Sequence, residues 1–329
     1  MINYLSQPRA DAVENFFLTS SDSDLLGCYR WCQSTSSAFL SSFNDFEVCL
    51  RNALHFSLSQ YYGGNDSFDW MGISGLNANI HSYPNPWNNL GALAGHVSSS
   101  ASHSMGVGAR KDIVKAFLLA KNKTHDGVIA ELSFGFWESL LKGLCHNSHA
   151  NNGHATIMHD CLKRAFPHYE VNSSIVPAVF GPWNVDFRDR LVRLINRIRK
   201  VRNRIGHHDS IRQIPEFNED GVKGFVPREP RHTIVSLNKL RDRVLMICGW
   251  IDSGLKTEIK GSDYWHKLST VLSKDSLGVF RFHGGKGDCY IRTVDYRNQV
   301  RKKKYQEARF KKMNIKKPIE FFFIRNMHF

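Results

Sequence analysis

The stretch DFRDRLVRLINRIRKVRNRI, residues 186 to 205, decides the predicted fold class. Its apolar residues recur at about 100° per residue and therefore lie on one side of a helix. These residues are Phe187, Leu191, Leu194, Ile195, Ile198, Val201 and Ile205. The opposite side carries Arg190, Arg193, Arg197, Lys200 and Arg204. Asn184 or Asp186 can cap the start of this helix, and Gly206 is a suitable residue to end it. The stretch predicts an amphipathic helix with one buried face and one basic face.

Helical periodicity also dominates the rest of the chain. It predicts further helices over residues 44–62, 111–121, 128–144, 155–166 and 236–252. The Gly-, Asn- and Pro-rich residues 63–96 and the residues 145–153 are expected to form loops. The composition changes after Gly254, and residues 256–329 are interpreted as an appended basic segment whose structure the pattern does not specify. We therefore expect an all-α fold, with a helical bundle over residues 1–255.

Composition and charge limit the kinds of function that the protein can have. The chain has 329 residues, of which 42% are hydrophobic, so it can bury a sizeable core. Its formal net charge of +14 favours a polyanionic partner such as nucleic acid or an anionic membrane surface. The longest apolar runs, AFLLA and VLMICGWI, are too short to span a bilayer, and no membrane protein is expected. Seven cysteines without a C-x-x-C pair, and an N-terminus without a signal-type apolar core, predict a reduced, cytoplasmic protein.

One cation lies in an unusual position on the helix over residues 186–205. Arg202 falls between Leu191 and Ile195 on the helical wheel, inside the apolar stripe. A guanidinium there must be paired, or must open into a cleft or a subunit interface, because burying it alone is costly. A structural ion pair or an arginine that extends to the surface near the helix end explains the position as well as a functional role does.

The residues that follow Arg202 favour the functional role. Asn203 is adjacent, and His207 and His208 come where the helix is expected to finish. The cationic form of an imidazole is stabilised at a helix C-terminus, which suits proton donation. Arginine can neutralise charge on a phosphorane while histidine transfers protons to and from the 2′- and 5′-oxygens of RNA. These residue types therefore predict metal-independent RNA cleavage, with Asn203 orienting its neighbours by hydrogen bonding.

Four ordered blocks give the chain a resemblance to a known family. LINRIRKVRNRIGHHDSI, residues 194–211, resembles the R-N-x-x-x-H-H segment of abortive-infection (Abi-like) proteins of the HEPN superfamily. ELSFGFWESLL (131–141), LKRAFPH (162–168) and FEVCLRNALH (46–55) are similar to three further blocks, so the resemblance covers about residues 30–255. The chain departs from the family in having Gly206 where alanine is usual, and Asp209-Ser210 where Glu-Pro is common.

The resemblance implies a HEPN-type helical bundle that dimerises to bring two motifs together. It also implies RNA cleavage without a metal or other cofactor, and a role as a toxin or effector in bacterial anti-phage defence. The catalytic residues it implies are Arg202, Asn203 and His207, with His208 as the alternative proton carrier.

Several other cations are predicted to contact RNA. R-N-x-x-H at Arg51, Asn52 and His55 lies beside an apolar stripe and is expected to contact RNA or to be solvated. Residues 297–317 hold ten Lys or Arg against one acid, an excess that favours phosphate contact. The remaining predicted RNA contacts are Arg197, Arg204, Arg301, Lys302, Lys303, Lys304, Lys311 and Lys312.

Three alternatives stay open at this stage. The cluster Cys145, His146, His149, His154, His159 and Cys161 has zinc-ligand types but no common zinc spacing, so no metal is expected and RNA contact is favoured. A non-catalytic RNA-binding protein, possibly bound to a regulatory RNA, can use the same basic helix and segment. A DNA-binding regulator fits the charge, but no helix-turn-helix signature is recognisable.

Overall fold

The computed structural model describes residues 5–62, 70, 107–121, 125–143, 154–169, 182–208, 210–283, 289–292 and 321–324. Within these residues the helices are α1 (Gln7–Phe17), α2 (Asp22–Tyr62), α3 (Val107–Leu119), α4 (His125–Glu131), α5 (Phe134–Gly143), α6 (His154–Ala165), α7 (Val185–Gly206), α8 (Pro230–Ile251), α9 (Ser253–Gly261), α10 (Asp263–Val271) and α11 (Lys274–His283). Two short strands, β1 (Cys289–Arg292) and β2 (Phe321–Ile324), pair antiparallel with Cys289 opposite Ile324. The described chain is mostly helical, which confirms the predicted all-α class.

The long helix α2 is the axis of the core. Its 41 residues span about 60 Å, and it contacts α1, α6, α7, α8, α10 and α11. The aromatic side chains of Phe39, Phe43 and Phe46 are fully buried along it. One continuous cluster of buried residues extends from Ala10 on α1 to Phe280 on α11. The helices therefore share a single core that is arranged around α2.

This core continues beyond residue 255, the predicted end of the helical domain. Helices α10 and α11 pack against the N-terminal half of α2, so part of the segment expected to be an appendage belongs to the bundle. The Trp31 indole donates a hydrogen bond to the Val271 carbonyl at 2.9 Å. The Arg281 guanidinium holds the Asp24 carboxylate with two hydrogen bonds of 2.7 Å each.

Two helix boundaries differ from the sequence prediction for identifiable reasons. Helix α2 begins at Asp22 and not at residue 44, because buried apolar side chains continue at helical spacing through a stretch rich in serine. The single helix predicted over residues 128–144 is divided into α4 and α5. The division occurs at Ser133, whose hydroxyl accepts a hydrogen bond from the Phe136 backbone N–H at 3.2 Å and so caps the start of α5.

Candidate active site

Helix α7 presents the candidate catalytic residues at its C-terminal end. The Asn184 side chain accepts a hydrogen bond from the Phe187 N–H at 3.0 Å, which confirms the predicted cap at the start of the helix. All seven residues of the predicted apolar stripe are buried. The helix ends at Gly206, and the His207 N–H still donates to the Asn203 carbonyl at 2.9 Å. The rigid, well-packed body of α7 therefore fixes the backbone positions of residues 202 to 207.

Arg202 pairs with an acid of α2 and remains accessible to solvent. Its Nη2 lies 3.4 Å from Oε2 of Glu47, and the Arg202 side chain is 39% exposed whereas that of Glu47 is 17% exposed. The pair supplies the partner that an arginine inside an apolar stripe requires. Burial raises the pKa of Glu47 above its usual range, and the charges of Arg202 and Arg51 oppose that shift without cancelling it. Glu47 thus anchors a guanidinium whose outer edge still faces water.

The R-N-x-x-H segment of α2 is divided between the surface and the core. Arg51 is half-buried near Glu47, and its Nε has no hydrogen-bond partner among the residues that the structure describes, whereas Asn52 is exposed. His55 is only 6% exposed, and its Nδ1 accepts a hydrogen bond from the Trp70 indole at 3.0 Å. The prediction of His55 as an RNA contact is corrected, because its imidazole is packed within the bundle. Arg51, one helical turn from Glu47, remains on the side of α2 that approaches Arg202, whereas Asn52 lies about 140° around α2 from Glu47.

Both candidate histidines lie on the surface. The side chains of His207 and His208 are exposed, and Asn203 is half-buried. His208 adopts φ of +54°, a left-handed conformation that changes the chain direction after the helix. On an ideal helix, positions 202 and 207 are about 140° apart around the axis and about 7.5 Å apart along it. Within one chain, Arg202 and His207 are therefore neighbours along the end of α7 but project from different sides of it.

The basic face of α7 is partly covered by a hairpin, although Arg193 and Lys200 remain exposed. Residues 214–226 form a hairpin, closed by hydrogen bonds from Glu216 N–H to the Phe225 carbonyl (2.9 Å) and from Gly224 N–H to the Glu216 carbonyl (2.8 Å). Three arginines one helical turn apart donate to three successive backbone carbonyls of this hairpin. The pairs are Arg190 with Glu219 (2.9 Å), Arg193 with Asp220 (2.8 Å) and Arg197 with Gly221 (3.3 Å).

This arrangement changes the interpretation of two predicted RNA contacts. Arg197 and Arg204 are both half-buried, and each donates to a backbone carbonyl, Arg204 to that of Ser210 at 2.8 Å. They lie about 140° and about 160° around the helix from Arg202. Both therefore project from a different side of α7 than Arg202 does. The structure therefore separates these residues from the candidate catalytic group.

Some predicted residues lie outside the described part of the chain. The basic residues Arg301, Lys302, Lys303, Lys304, Lys311 and Lys312 belong to this set, as do Cys145, His146 and His149. Within the described ranges no group of three or more His, Cys, Asp or Glu side chains is arranged to hold a metal ion. Burial raises the pKa of the Cys161 thiol to about 12. Cys161 is part of the buried core.

Glu47 is the site residue that sequence reasoning missed. The position of Arg202 in the apolar stripe indicated that a partner was needed, but periodicity could not identify which acid on which helix provides it. Glu47 lies four residues before Arg51, so the two share one face of α2. This four-residue spacing was the only sequence feature that connected Glu47 with the candidate site.

Comparisons with known proteins do not assign the chain to a family. No protein-family model, curated protein or solved structure matches the chain. The resemblance to the HEPN superfamily therefore depends on the four sequence blocks alone. None of the helices that the structure describes has the length and apolarity needed to cross a membrane.

Proposed function

We propose that the protein is a metal-independent endoribonuclease of the HEPN type, acting in bacterial anti-phage defence. One observation carries the proposal: Arg202 is anchored by Glu47 yet 39% exposed, at a helix end that also presents the exposed His207 and His208. An accessible imidazole can transfer the protons, and an accessible guanidinium can stabilise the phosphorane charge, in cleavage of RNA without a metal. The net charge of +14 supports a polyanionic substrate.

The proposed chemistry uses the substrate's own hydroxyl as the nucleophile. A histidine, His207 or His208, removes the proton from a 2′-hydroxyl, whose oxygen attacks the adjacent phosphorus while the bond to the 5′-oxygen breaks. Arg202 stabilises the negative charge that develops on the non-bridging oxygens, and Asn203 orients the reacting groups. A protonated imidazole supplies the proton to the leaving 5′-oxygen. The products are a 2′,3′-cyclic phosphate and a 5′-hydroxyl.

The separation of Arg202 and His207 around α7 favours a site that two copies of the chain complete. An angle of about 140° between the two positions directs them to different sides of the helix in one chain. In a homodimer that brings two α7 ends together, the arginine of one copy can face the imidazole of the other. Sedimentation equilibrium is expected to give twice the mass of the chain under the conditions in which RNA is cleaved. A monomer that cleaves RNA at full rate contradicts the shared site.

Cleavage of single-stranded RNA in excess EDTA tests the mechanism. Wild type is expected to remain active, whereas Arg202→Ala and His207→Ala are each expected to lose at least about a hundredfold in rate. Arg228→Ala is the matched control, since Arg228 is exposed in the loop before α8. Circular dichroism verifies that each variant folds. Loss of wild-type activity in EDTA, or equal rates in all variants, rejects the proposal.

The ion pair itself favours one alternative, a non-catalytic RNA-binding protein. In that case Arg202 serves to join α7 to α2 through Glu47, and the positive charge elsewhere binds RNA. This alternative predicts that His207→Ala binds RNA as wild type does and that neither protein cleaves it. A gel-shift assay run beside the cleavage assay distinguishes the two functions.

A further inference from the structure

A small cationic cavity lies on the other side of α7 from Arg202. It has a volume of about 190 Å³ and lies between the last turns of α7 and the 214–226 hairpin. Its floor is apolar and includes Val201, Ile214 and Phe217. Four cationic side chains line it, namely Arg197, Lys200, Arg204 and Lys223. The cavity therefore combines a concave, partly open shape with four cationic side chains.

The two lysines of this cavity add positive charge that no acid pairs with among the described residues. Glu216 is the one acid among the described lining residues, and the Glu216 carboxylate already forms an ion pair with Lys239. Among the described residues, the exposed Lys200 and Lys223 have no acidic partner, and Arg197 donates to the neutral carbonyl of Gly221. Like charges gathered around one space repel each other, and an anion bound between them offsets that repulsion.

We propose that this cavity binds a phosphate group. Its volume is below the range of about 300–1,000 Å³ that is usual for whole drug-sized ligands, so it fits an anionic group and not a complete nucleotide. Guanidinium groups bind phosphate oxygens through paired, charge-assisted hydrogen bonds, and lysines add positive charge at the entrance. The bonds from Arg197 and Arg204 to backbone carbonyls fix both side chains before a ligand arrives, which lowers the entropic cost of binding.

The phosphate pocket is independent of the proposed nuclease site. Lys200 and Arg204 are each two positions from Arg202, which places them about 160° away around α7. The helix therefore stands between the two sites. Binding at the pocket can exist whether or not the protein cleaves RNA, and a failure of one proposal leaves the other intact.

Titration calorimetry with inorganic phosphate on the full chain, at constant ionic strength, tests the pocket. Wild type is expected to show saturable binding at one site. Lys200→Ala/Lys223→Ala is expected to weaken it at least tenfold, and both residues are exposed, so the fold should tolerate the change. Lys115→Ala/Lys121→Ala removes the same charge from exposed positions outside the cavity and is expected to change affinity less than twofold. Absence of saturable binding, or equal weakening in the two double variants, overturns the proposal.

A second arm identifies the source of the phosphate. If the pocket takes a backbone phosphate of RNA, inorganic phosphate displaces a labelled single-stranded RNA, and the pocket variant binds that RNA more weakly than the control variant does. If the pocket takes a free phosphate compound, both double variants bind the RNA equally and only the phosphate titration separates them. Both results support a phosphate site. They differ in whether RNA or a free compound supplies the phosphate.

Discussion

Replacing Gly221 by alanine is expected to detach the 214–226 hairpin from α7. Gly221 has φ of +71°, a left-handed conformation that costs an alanine about 1 kcal/mol. A Cβ at this position comes within 2.8 Å of the carbonyl carbon and Cβ of Arg193 and of the backbone nitrogen of Leu194. Because these are mainly backbone atoms of a buried helix, the hairpin must move, at a further cost of about 1–3 kcal/mol. The expected loss in the free energy of unfolding is about 2–4 kcal/mol.

Urea denaturation followed by tryptophan fluorescence measures this loss, and a nearby glycine provides the control. Gly224 lies in the same hairpin, and a Cβ there meets nothing closer than the Glu216 carbonyl oxygen at 3.7 Å, which is ordinary contact. Gly224→Ala is expected to change stability by less than about 0.5 kcal/mol. If Gly221→Ala is as stable as wild type, or if both variants lose the same amount, the close docking of the hairpin on α7 is refuted.

Three further predictions concern α2 and its partners. Arg281→Ala is expected to cost about 2 kcal/mol at pH 7, since it leaves the Asp24 carboxylate without its cationic partner. In wild type, burial raises the pKa of Asp24, but the bonds from Arg281 and Ser20 hold that pKa below its usual range. Without Arg281 the effect of burial is expected to dominate, so the cost should shrink toward pH 4 in urea melts as the carboxyl takes up a proton. Gly27→Ala places a Cβ 2.2 Å from a backbone oxygen of α11 and is expected to destabilise the protein by more than about 2 kcal/mol in thermal melts. As a control, a Cβ at Gly261 has no described atom within 4 Å, and Gly261→Ala is expected to leave stability unchanged. Glu47→Gln is expected to gain stability relative to wild type as pH rises from 4 to 7, because the raised pKa of Glu47 means that its ionisation disfavours the folded state. Equal pH profiles for wild type and variant contradict that reasoning.

The helices that periodicity predicts best are those with one clean apolar face. Helix α7 matches its prediction to within one residue at each end, because its stripe, its Asn184 cap and Gly206 all indicate the same bounds. The N-terminal half of α2 was not predicted, since serine, cysteine and glycine interrupt its pattern while Trp31 and Phe39 are fully buried. Helices α10 and α11 were also missed, because each is too short for periodicity to separate it from the basic composition that follows.

The tertiary contacts of the candidate site could not be read from the sequence. The helical wheel showed that Arg202 needs a partner, but only the packing of α7 against α2 shows that the partner is Glu47. His55 was assigned to the polar edge of its helix, and Trp70, from a stretch interpreted as loop, covers it. The carbonyls that accept from Arg190, Arg193 and Arg197 belong to a hairpin whose sequence carries no marker of docking. In each case the deciding contact joins residues that are distant along the chain.

The most direct test of the proposed mechanism uses a substrate that lacks the attacking group. An RNA oligonucleotide is first cleaved by wild-type protein in excess EDTA, and the cleaved position is mapped. The same oligonucleotide is then made with a single 2′-deoxy nucleotide on the 5′ side of that linkage. If Arg202 and a histidine catalyse attack by the 2′-hydroxyl, the unmodified RNA yields a 2′,3′-cyclic phosphate and the modified linkage stays intact. Cleavage of the 2′-deoxy linkage at an undiminished rate contradicts the account.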